Sequence, residues 1–199
     1  VGATAAALFL IVQLLIGLAI LLSLNRFSII LGVLSLVLVA IYPFMKRITW
    51  WPQAWLGLTF NWGALLGFSA ITGHLTAPAY VLYIGCFFWT LGYDTIYAQQ
   101  DTEDDALIGV KSTARLFGDM SPVFILGFYV ICFVLIAIAA FAATRNPLSV
   151  VFLMPATVHL LWQAAALKIR DSAICLRIFR SNRDVGFLIA VALIAASHL

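Results

Sequence analysis

Charged residues are scarce in this sequence of 199 residues, where Lys, Arg, Asp and Glu together make up only 10%. A soluble domain is about a quarter charged and about half apolar, whereas this chain is 64% hydrophobic with a mean hydropathy of +1.10. So few polar groups cannot cover the surface of a folded protein in water, which excludes a soluble globular protein.

Cysteine is rare too. Cys86, Cys132 and Cys175 stand singly, without metal-site or disulfide spacing, so we expect them to be small packing residues.

The alternation of polar and apolar residues that marks a membrane β-strand is also absent. Long apolar stretches take its place, and seven of them approach the roughly 20 residues needed to cross a hydrocarbon core. Backbone groups in lipid must hydrogen-bond within their own segment, so these stretches are predicted to be helices. We therefore predict an all-α, polytopic transmembrane helix bundle that forms one domain over residues 1–199. The predicted spans are about 4–24, 28–44, 52–71, 78–98, 121–143, 148–168 and 183–199.

The connections between these spans differ sharply in charge. Nine of the eleven basic residues fall on the connections near 45–51, 99–120 and 169–182 or at their ends, while Arg26 and Arg145 lie on the other face. The positive-inside rule makes the basic face cytoplasmic in a bacterium, or matrix-facing in a mitochondrion. The acids converge on that same face, which the rule does not require. They are Asp94, Asp101, Glu103, Asp104, Asp105, Asp119, Asp171 and Asp184.

The acidic segment at 101–105 follows the fourth predicted span without a Gly or Pro before Gly109. A helix that continues through it brings Asp94, Tyr97, Asp101 and either Asp104 or Asp105 onto one face, since residues three and four apart are neighbours. Like charges at that spacing repel unless a cation lies between them. Carboxylate oxygens suit Mg²⁺ or Ca²⁺, and Mg²⁺ is typically held by one or two carboxylates plus substrate phosphates. We predict that Asp101 and Asp105 bind Mg²⁺. A solvated, functionless helix end is the alternative.

A cationic segment follows the acidic one directly. Gly109 and Gly118 bound a predicted short helix in which Lys111 and Arg115 stand four residues apart. A diphosphate group is bound well by metal on one side and by ammonium or guanidinium groups on the other. Lys111 and Arg115 are therefore candidate diphosphate ligands, with a topology signal at the membrane surface as the alternative.

A second candidate segment lies between the second and third spans, in the run from Tyr42 to Arg47. Pro43 is expected to kink or end the helix, and Tyr42 and Lys46 then belong to the same surface layer as Asp101. Arg47 can bind a carboxylate through two parallel hydrogen bonds, which Lys cannot do. An aromatic belt with positive-inside charge is the alternative. In the third span, the lone Asn61 can bond a substrate hydroxyl or another helix.

These segments resemble the UbiA superfamily of membrane prenyltransferases, and more closely its 4-hydroxybenzoate polyprenyltransferases. The resemblance covers essentially the whole chain and is carried by four stretches: Tyr-Pro-Phe-Met-Lys-Arg at 42–47, Gly-Leu-Thr-Phe-Asn-Trp-Gly at 57–63, Tyr-Asp-Thr-Ile-Tyr-Ala at 93–98 with the acids at 101–105, and Gly-Val-Lys-Ser-Thr at 109–113. It implies a nine-helix fold with two Asp-rich motifs. Seven helices and one motif are predicted here, so we expect that an N-terminal portion with the first motif precedes Val1.

The resemblance implies that a polyprenyl group passes from polyprenyl diphosphate to 4-hydroxybenzoate, ortho to its hydroxyl, in ubiquinone biosynthesis. It further implies Mg²⁺ as cofactor and the lipid bilayer as surroundings, with no nucleic acid and no protein partner. Asp101 and Asp105 match metal ligands of the second motif. Lys46, Lys111 and Arg115 are assigned to the diphosphate and Arg47 to the aromatic carboxylate, while Asp94, Tyr97 and Tyr42 line or polarise the site.

Several alternatives stay open. Another UbiA-type enzyme would act on homogentisate, naphthoate, haem or chlorophyllide, and a cation transporter would use Asp94 and Asp101 for permeation. A transporter predicts polar residues through the bilayer centre, and the spans are nearly all apolar away from one face. We expect a multi-pass protein of the bacterial inner membrane with its site facing the cytoplasm, or of the mitochondrial inner membrane with its site facing the matrix.

Overall fold

A computed structural model describes residues 2–198, which are helical almost throughout and contain no strand. Short 3-10 turns at Gln99–Asp101 and Gly118–Met120 separate some of the helices. The α-helices, in chain order, are α1 (Ala3–Leu22), α2 (Arg26–Ile48), α3 (Pro52–Phe60), α4 (Trp62–Thr72), α5 (Ala77–Ala98), α6 (Thr102–Leu107), α7 (Thr113–Phe117), α8 (Ser121–Thr144), α9 (Leu148–Val151), α10 (Met154–Ala166) and α11 (Ser172–Ala196). The predicted all-α class is confirmed.

Five helical segments in the described part of the chain are long and apolar enough to cross a membrane: Ala3–Leu22, Arg26–Ile48, Pro52–Thr72, Thr113–Thr144 and Leu148–Ala166. The protein is therefore a multi-pass helical membrane protein. The other two predicted spans correspond to α5, with 22 residues, and α11, with 25. Their hydropathy is lower because α5 contains four tyrosines and Asp94, and because the first half of α11 carries arginines.

One local prediction requires correction. The loop predicted at 169–182 is wrong beyond Asp171, because the Asp171 carboxylate accepts a 3.0 Å hydrogen bond from the Ile174 amide and α11 begins at Ser172. Arg177 and Arg180 are therefore helical. Pro43 was expected to kink or end its helix; it lies inside α2, which runs on to Ile48, so it does not end the helix. The third predicted span corresponds to Pro52–Thr72, in which α3 and α4 meet at Asn61.

The core lies where α5, α8, α10 and α11 meet. Its apolar side chains include Ile96 of α5, Ile136 of α8 and Ile178 of α11, each no more than 2% exposed. Small residues let α5 and α8 approach closely, as is common between membrane helices. A Cβ added at Gly92 would stand 2.5 Å from the ring of Tyr129. By contrast, α1 has no buried residue in the described structure.

Buried hydrogen bonds hold α11 against this core. The Tyr129 hydroxyl of α8 donates to Gln163 Oε1 of α10 at 2.8 Å, and Gln163 Nε2 donates to Ser181 Oγ of α11 at 2.9 Å. Polar side chains away from water cost free energy unless they are paired. This chain of bonds therefore selects one packing of the three helices and fixes the position of α11 beside the candidate site.

Candidate active site

The acidic segment leaves the membrane helix through a break in helical geometry. The predicted continuous helix is wrong here, because α5 ends at Ala98, a 3-10 turn covers Gln99–Asp101, and α6 carries the remaining acids. Gln99 is buried and its amide donates a 2.9 Å hydrogen bond to Ser121 Oγ at the start of α8. This bond anchors the turn, so the orientation of the acids is set by tertiary structure and not by the register of α5.

Lys46 connects α2 to this acidic segment. Its ammonium lies within electrostatic reach of both Asp94 and Asp105. Burial raises the pKa of the Asp105 carboxyl, the ammonium of Lys46 opposes that rise, and the nearby Asp101 carboxylate adds to it. The structure thus brings together Lys46, Asp94, Asp101 and Asp105, which were predicted from separate segments.

Asp104 faces another part of the surface. It lines an open cavity of about 470 Å³ with Glu103, Arg115 and the exposed ion pair of Arg170 and Asp119, whose N and O atoms are 3.0 Å apart. The sequence allowed either Asp104 or Asp105 to share a face with Asp101. The position of Asp105 beside Lys46 and Asp101 favours Asp105 as the second carboxylate of the candidate site.

The cationic segment does not form the predicted helical stripe. α7 begins at Thr113, so Lys111 precedes it, in an extended stretch after Gly109, whose φ of +73° favours glycine. Ser112 caps the helix by accepting a 3.3 Å hydrogen bond from the Arg115 amide. The loop is anchored to α5, since the buried hydroxyls of Thr113 and Thr95 are 2.7 Å apart and form a hydrogen bond.

Lys111 and Arg115 nevertheless converge on one aromatic ring. Lys111 Nζ lies 6.0 Å and Arg115 Cζ lies 5.4 Å from the ring centroid of Trp50. Lys111 Nζ also donates to the Ile48 carbonyl at 3.2 Å, and Arg115 donates to the Asp105 carbonyl at 3.2 Å. Attraction between cations and the ring face orients both side chains beside the acidic segment. Sequence reasoning missed Trp50, although its place three residues after Arg47 at the predicted membrane surface was a usable signal.

The remaining predicted residues differ in their surroundings. Tyr42 is half-buried and lies within electrostatic reach of Asp94. Tyr97 is 41% exposed and its ring centroid is 4.5 Å from that of Phe179 in α11. Asn61 donates to Thr90 Oγ1 at 2.7 Å and to the Gly57 carbonyl at 2.8 Å, which supports its helix-joining interpretation.

Arg47 is not drawn into the centre. It is exposed on α2, about 100° around the helix from Lys46. Within residues 2–198 its guanidinium forms neither an ion pair nor a hydrogen bond. Its predicted role as carboxylate ligand has no structural support and stays a prediction.

An aromatic cleft of about 310 Å³ opens between α3, α5 and α11. Its apolar walls are Phe60, Trp89, Tyr93 and Phe179, and its polar lining is Arg180, Asn182 and Arg183. We call it the aromatic cleft. Sequence reasoning missed the part that α11 plays in it, because residues 172–182 were assigned to a loop. The helical spacing of Phe179, Asn182 and Arg183 was the signal available for finding that face.

The donors present fit a magnesium ion bound jointly by protein and substrate. Across residues 2–198 no group of three or more His, Cys, Asp or Glu side chains is arranged to hold a metal alone. Asp101 and Asp105 offer hard oxygen donors, and Mg²⁺ commonly takes one or two carboxylates and completes its shell with phosphate and water. The site therefore suits a cation that arrives with a phosphorylated ligand.

A bundle of membrane helices that gathers carboxylates, two lysines and an arginine at one end defines a multi-pass membrane protein with a charged site at its surface. Residues 1–194 match the UbiA prenyltransferase family, and the chain belongs to that family. The solved apo structure of a UbiA homolog from Aeropyrum pernix K1 aligns with a TM-score of 0.78 at 21% identity, covering 98% of this chain and 73% of that one. This likeness confirms the fold.

Curated relatives agree with the family assignment. The chain is 48% identical to a mitochondrial 4-hydroxybenzoate polyprenyltransferase of Arabidopsis thaliana, over 91% of this chain and 45% of that protein. It is 44% identical to a 4-hydroxybenzoate geranyltransferase 2 of Lithospermum erythrorhizon, over 89% of this chain and 58% of that protein. The mitochondrial 4-hydroxybenzoate polyprenyltransferase of Bos taurus is 44% identical, over 92% of this chain and 49% of that protein. The chain thus spans about half the length of the curated relatives it matches.

Proposed function

We propose that this protein transfers a polyprenyl group from polyprenyl diphosphate to 4-hydroxybenzoate, at the ring carbon ortho to the hydroxyl, in ubiquinone biosynthesis. The observation that carries the proposal is the convergence of Asp101, Asp105, Lys46, Lys111 and Arg115 at one surface of the bundle. The names of the relatives above, which are 4-hydroxybenzoate prenyltransferases, support the choice of acceptor.

The basic residues have a defined electrostatic task. Breaking the bond between the prenyl carbon and the diphosphate oxygen leaves negative charge on the diphosphate and positive charge on the allylic carbon. Lys111 and Arg115, oriented by Trp50, and Lys46, held beside the acids, stabilise the departing diphosphate. The ring carbon then forms the new C–C bond and releases its proton.

The carboxylates have a complementary task. Asp101 and Asp105 would hold Mg²⁺, which on binding neutralises part of the diphosphate charge and so favours its departure. Without a cation these two carboxylates would repel the substrate diphosphate, so their presence beside three basic groups is explained by a metal-bound ligand. Asp94 and Tyr42 lie within electrostatic reach of each other, and together with Tyr97 they would orient the acceptor.

We further propose a location in the mitochondrial inner membrane, with the active site facing the matrix. The Arabidopsis and Bos taurus relatives are named as mitochondrial proteins, which favours this alternative over the bacterial inner membrane. The proposed orientation, with the active site toward the matrix, rests on the concentration of Lys and Arg on the loops that carry the candidate site.

A product assay tests the proposed reaction. Membranes containing the protein are incubated with Mg²⁺, geranyl diphosphate and radiolabelled 4-hydroxybenzoate, and the product is identified by chromatography and mass spectrometry. Homogentisate and a naphthoate in parallel reactions test the other acceptors. The expected result is a 3-geranyl-4-hydroxybenzoate product that disappears when EDTA is added. Transfer to another acceptor but not to 4-hydroxybenzoate contradicts the proposal.

A further inference from the structure

The aromatic cleft has one wall that is fixed by polar and steric contacts. Trp89 Nε1 donates a 2.8 Å hydrogen bond to Asn182 Oδ1, across the interface between α5 and α11. The amide of Asn182 in turn donates to the Phe179 carbonyl at 3.2 Å, and Asn182 is 7% exposed. A Cβ at Gly186 would lie 3.1 Å from the Trp89 ring, so glycine there leaves room for the indole. Trp89 is therefore held in one orientation.

The other rings continue this wall in edge-to-face and tilted contacts. The centroids of Trp89 and Tyr93 are 5.6 Å apart with an interplanar angle of 78°, and those of Tyr93 and Phe179 are 5.9 Å apart. Such contacts stabilise a defined arrangement of rings. A volume of about 310 Å³ is at the lower end of small-molecule pockets, roughly 300–1,000 Å³. The cleft is thus large enough for a small aromatic ligand.

Two arginines give the cleft its charge. Within the described residues Arg180 has no carboxylate at ion-pair distance, and Arg183 pairs at 3.1 Å with Asp184, its neighbour in the chain, in a contact that is largely exposed. The guanidinium fork matches the geometry of a carboxylate. Ordered rings beside the unpaired guanidinium of Arg180 and the exposed guanidinium of Arg183 favour a ligand that is both aromatic and anionic.

We propose that the aromatic cleft binds the acceptor, with Arg180 and Arg183 bound to its carboxylate and the rings of Trp89, Tyr93 and Phe179 against its ring. This inference rests on the proposed function and names residues of α11 that determine acceptor specificity. It assigns carboxylate recognition to α11 in place of Arg47. Asn182 acts as a positioning residue, through Trp89.

Steady-state kinetics with paired acceptors test the inference. 4-Hydroxybenzoate and its neutral amide are compared in the wild type and in the Arg180→Gln, Arg183→Gln double variant. The double variant is expected to raise the KM for the acid roughly tenfold or more, as loss of hydrogen bonds to a charged group predicts. The KM for the amide and the KM for geranyl diphosphate should stay unchanged. The Arg180→Lys, Arg183→Lys double variant should recover part of the affinity for the acid.

Matched controls separate this role from others. Arg177→Gln removes an exposed arginine of the same helix that does not line the cleft, and should leave all constants unchanged. Arg47→Gln tests the rival ligand. An unchanged KM for the acid in the double variant overturns the inference, as does a loss of acid preference in Arg47→Gln alone. An equal rise in the KM for geranyl diphosphate would also overturn it, because that assigns the arginines to the donor.

A binding measurement keeps the inference independent of turnover. Calorimetric titration of 4-hydroxybenzoate into the purified protein, without prenyl donor, should give binding that the double variant loses and Arg177→Gln retains. If the wild type binds the acid in this way but transfers no prenyl group to it, the proposed reaction fails while the cleft assignment stands. Equal binding by wild type and double variant overturns the cleft assignment alone.

Discussion

The backbone amide of Lys111 donates a 2.9 Å hydrogen bond to the carbonyl of Lys46, which joins the cationic loop after α6 to the last turn of α2. This bond brings two lysines from distant parts of the chain to one edge of the acidic segment. Adjacent positive charges would repel each other in isolation. Here Asp94 and Asp105 lie within electrostatic reach of Lys46, so attraction between these acids and Lys46 offsets the repulsion between the two lysines.

The first prediction concerns the metal-binding carboxylates. Asp101→Asn or Asp105→Asn is expected to lower prenyl transfer roughly 100-fold or more, in line with the loss of a group that stabilises transition-state charge. Product formation at saturating Mg²⁺ measures the effect. Glu103→Gln is the matched control, because it removes a neighbouring carboxylate to which no metal role is assigned, and it should retain wild-type activity. Full activity in both Asp variants would rule out the metal role.

The second prediction concerns Trp50, which lies under Lys111 and Arg115. Trp50→Ala removes cation–π contacts worth about 0.5–2 kcal/mol. The KM for the prenyl diphosphate should rise roughly 2- to 30-fold, because each 1.4 kcal/mol corresponds to about a factor of ten. The KM for the acceptor should change little. Trp162→Ala, an exposed ring on α10, is the control. An effect confined to the acceptor would contradict the assigned role.

The third prediction concerns the close packing of α5 on α8. Gly92→Ala places a methyl group 2.5 Å from the Tyr129 ring, and overpacking of this kind costs about 1–3 kcal/mol. The thermal midpoint in detergent should fall by roughly 2–12 °C, at about 2–4 °C per kcal/mol for a protein of this size. Gly127→Ala on α8 meets no heavy atom within 4 Å and should not lower the midpoint. Equal midpoints for the two variants would argue against tight contact at Gly92.

The fourth prediction concerns the buried bond between Tyr129 and Gln163. Tyr129→Phe removes the donor that Gln163 Oε1 accepts at 2.8 Å. The double-mutant cycle with Gln163→Leu should give a coupling free energy of about 0.6 kcal/mol, and at most about 1.7, as in comparable membrane helices. Unfolding free energies in mixed micelles supply the four values. Additive effects, with no coupling, would mean that the bond contributes nothing net.

Fold class was accessible from the sequence because it depends on local properties. The length and hydropathy of a run decide whether its backbone can lie in lipid as a helix, and neither depends on distant residues. Arg177 and Arg180 were wrongly predicted to lie in a loop for the same reason, because the prediction used only local hydropathy. Arginines lower local hydropathy, although the cap at Asp171 and packing against α8 and α10 keep residues 172–184 helical.

The sequence allowed the residues of the candidate site to be predicted, but not their geometry. The amino-acid sequence determined that acids and bases gather on one membrane face, and which segments carry them. Tertiary structure alone decided that Asp105 rather than Asp104 lies with Lys46, that Trp50 receives Lys111 and Arg115, and that α11 closes an aromatic cleft. The physical reason is that these contacts join distant elements, and small residues such as Gly92 and buried pairs such as Trp89 and Asn182 set the distances between helices.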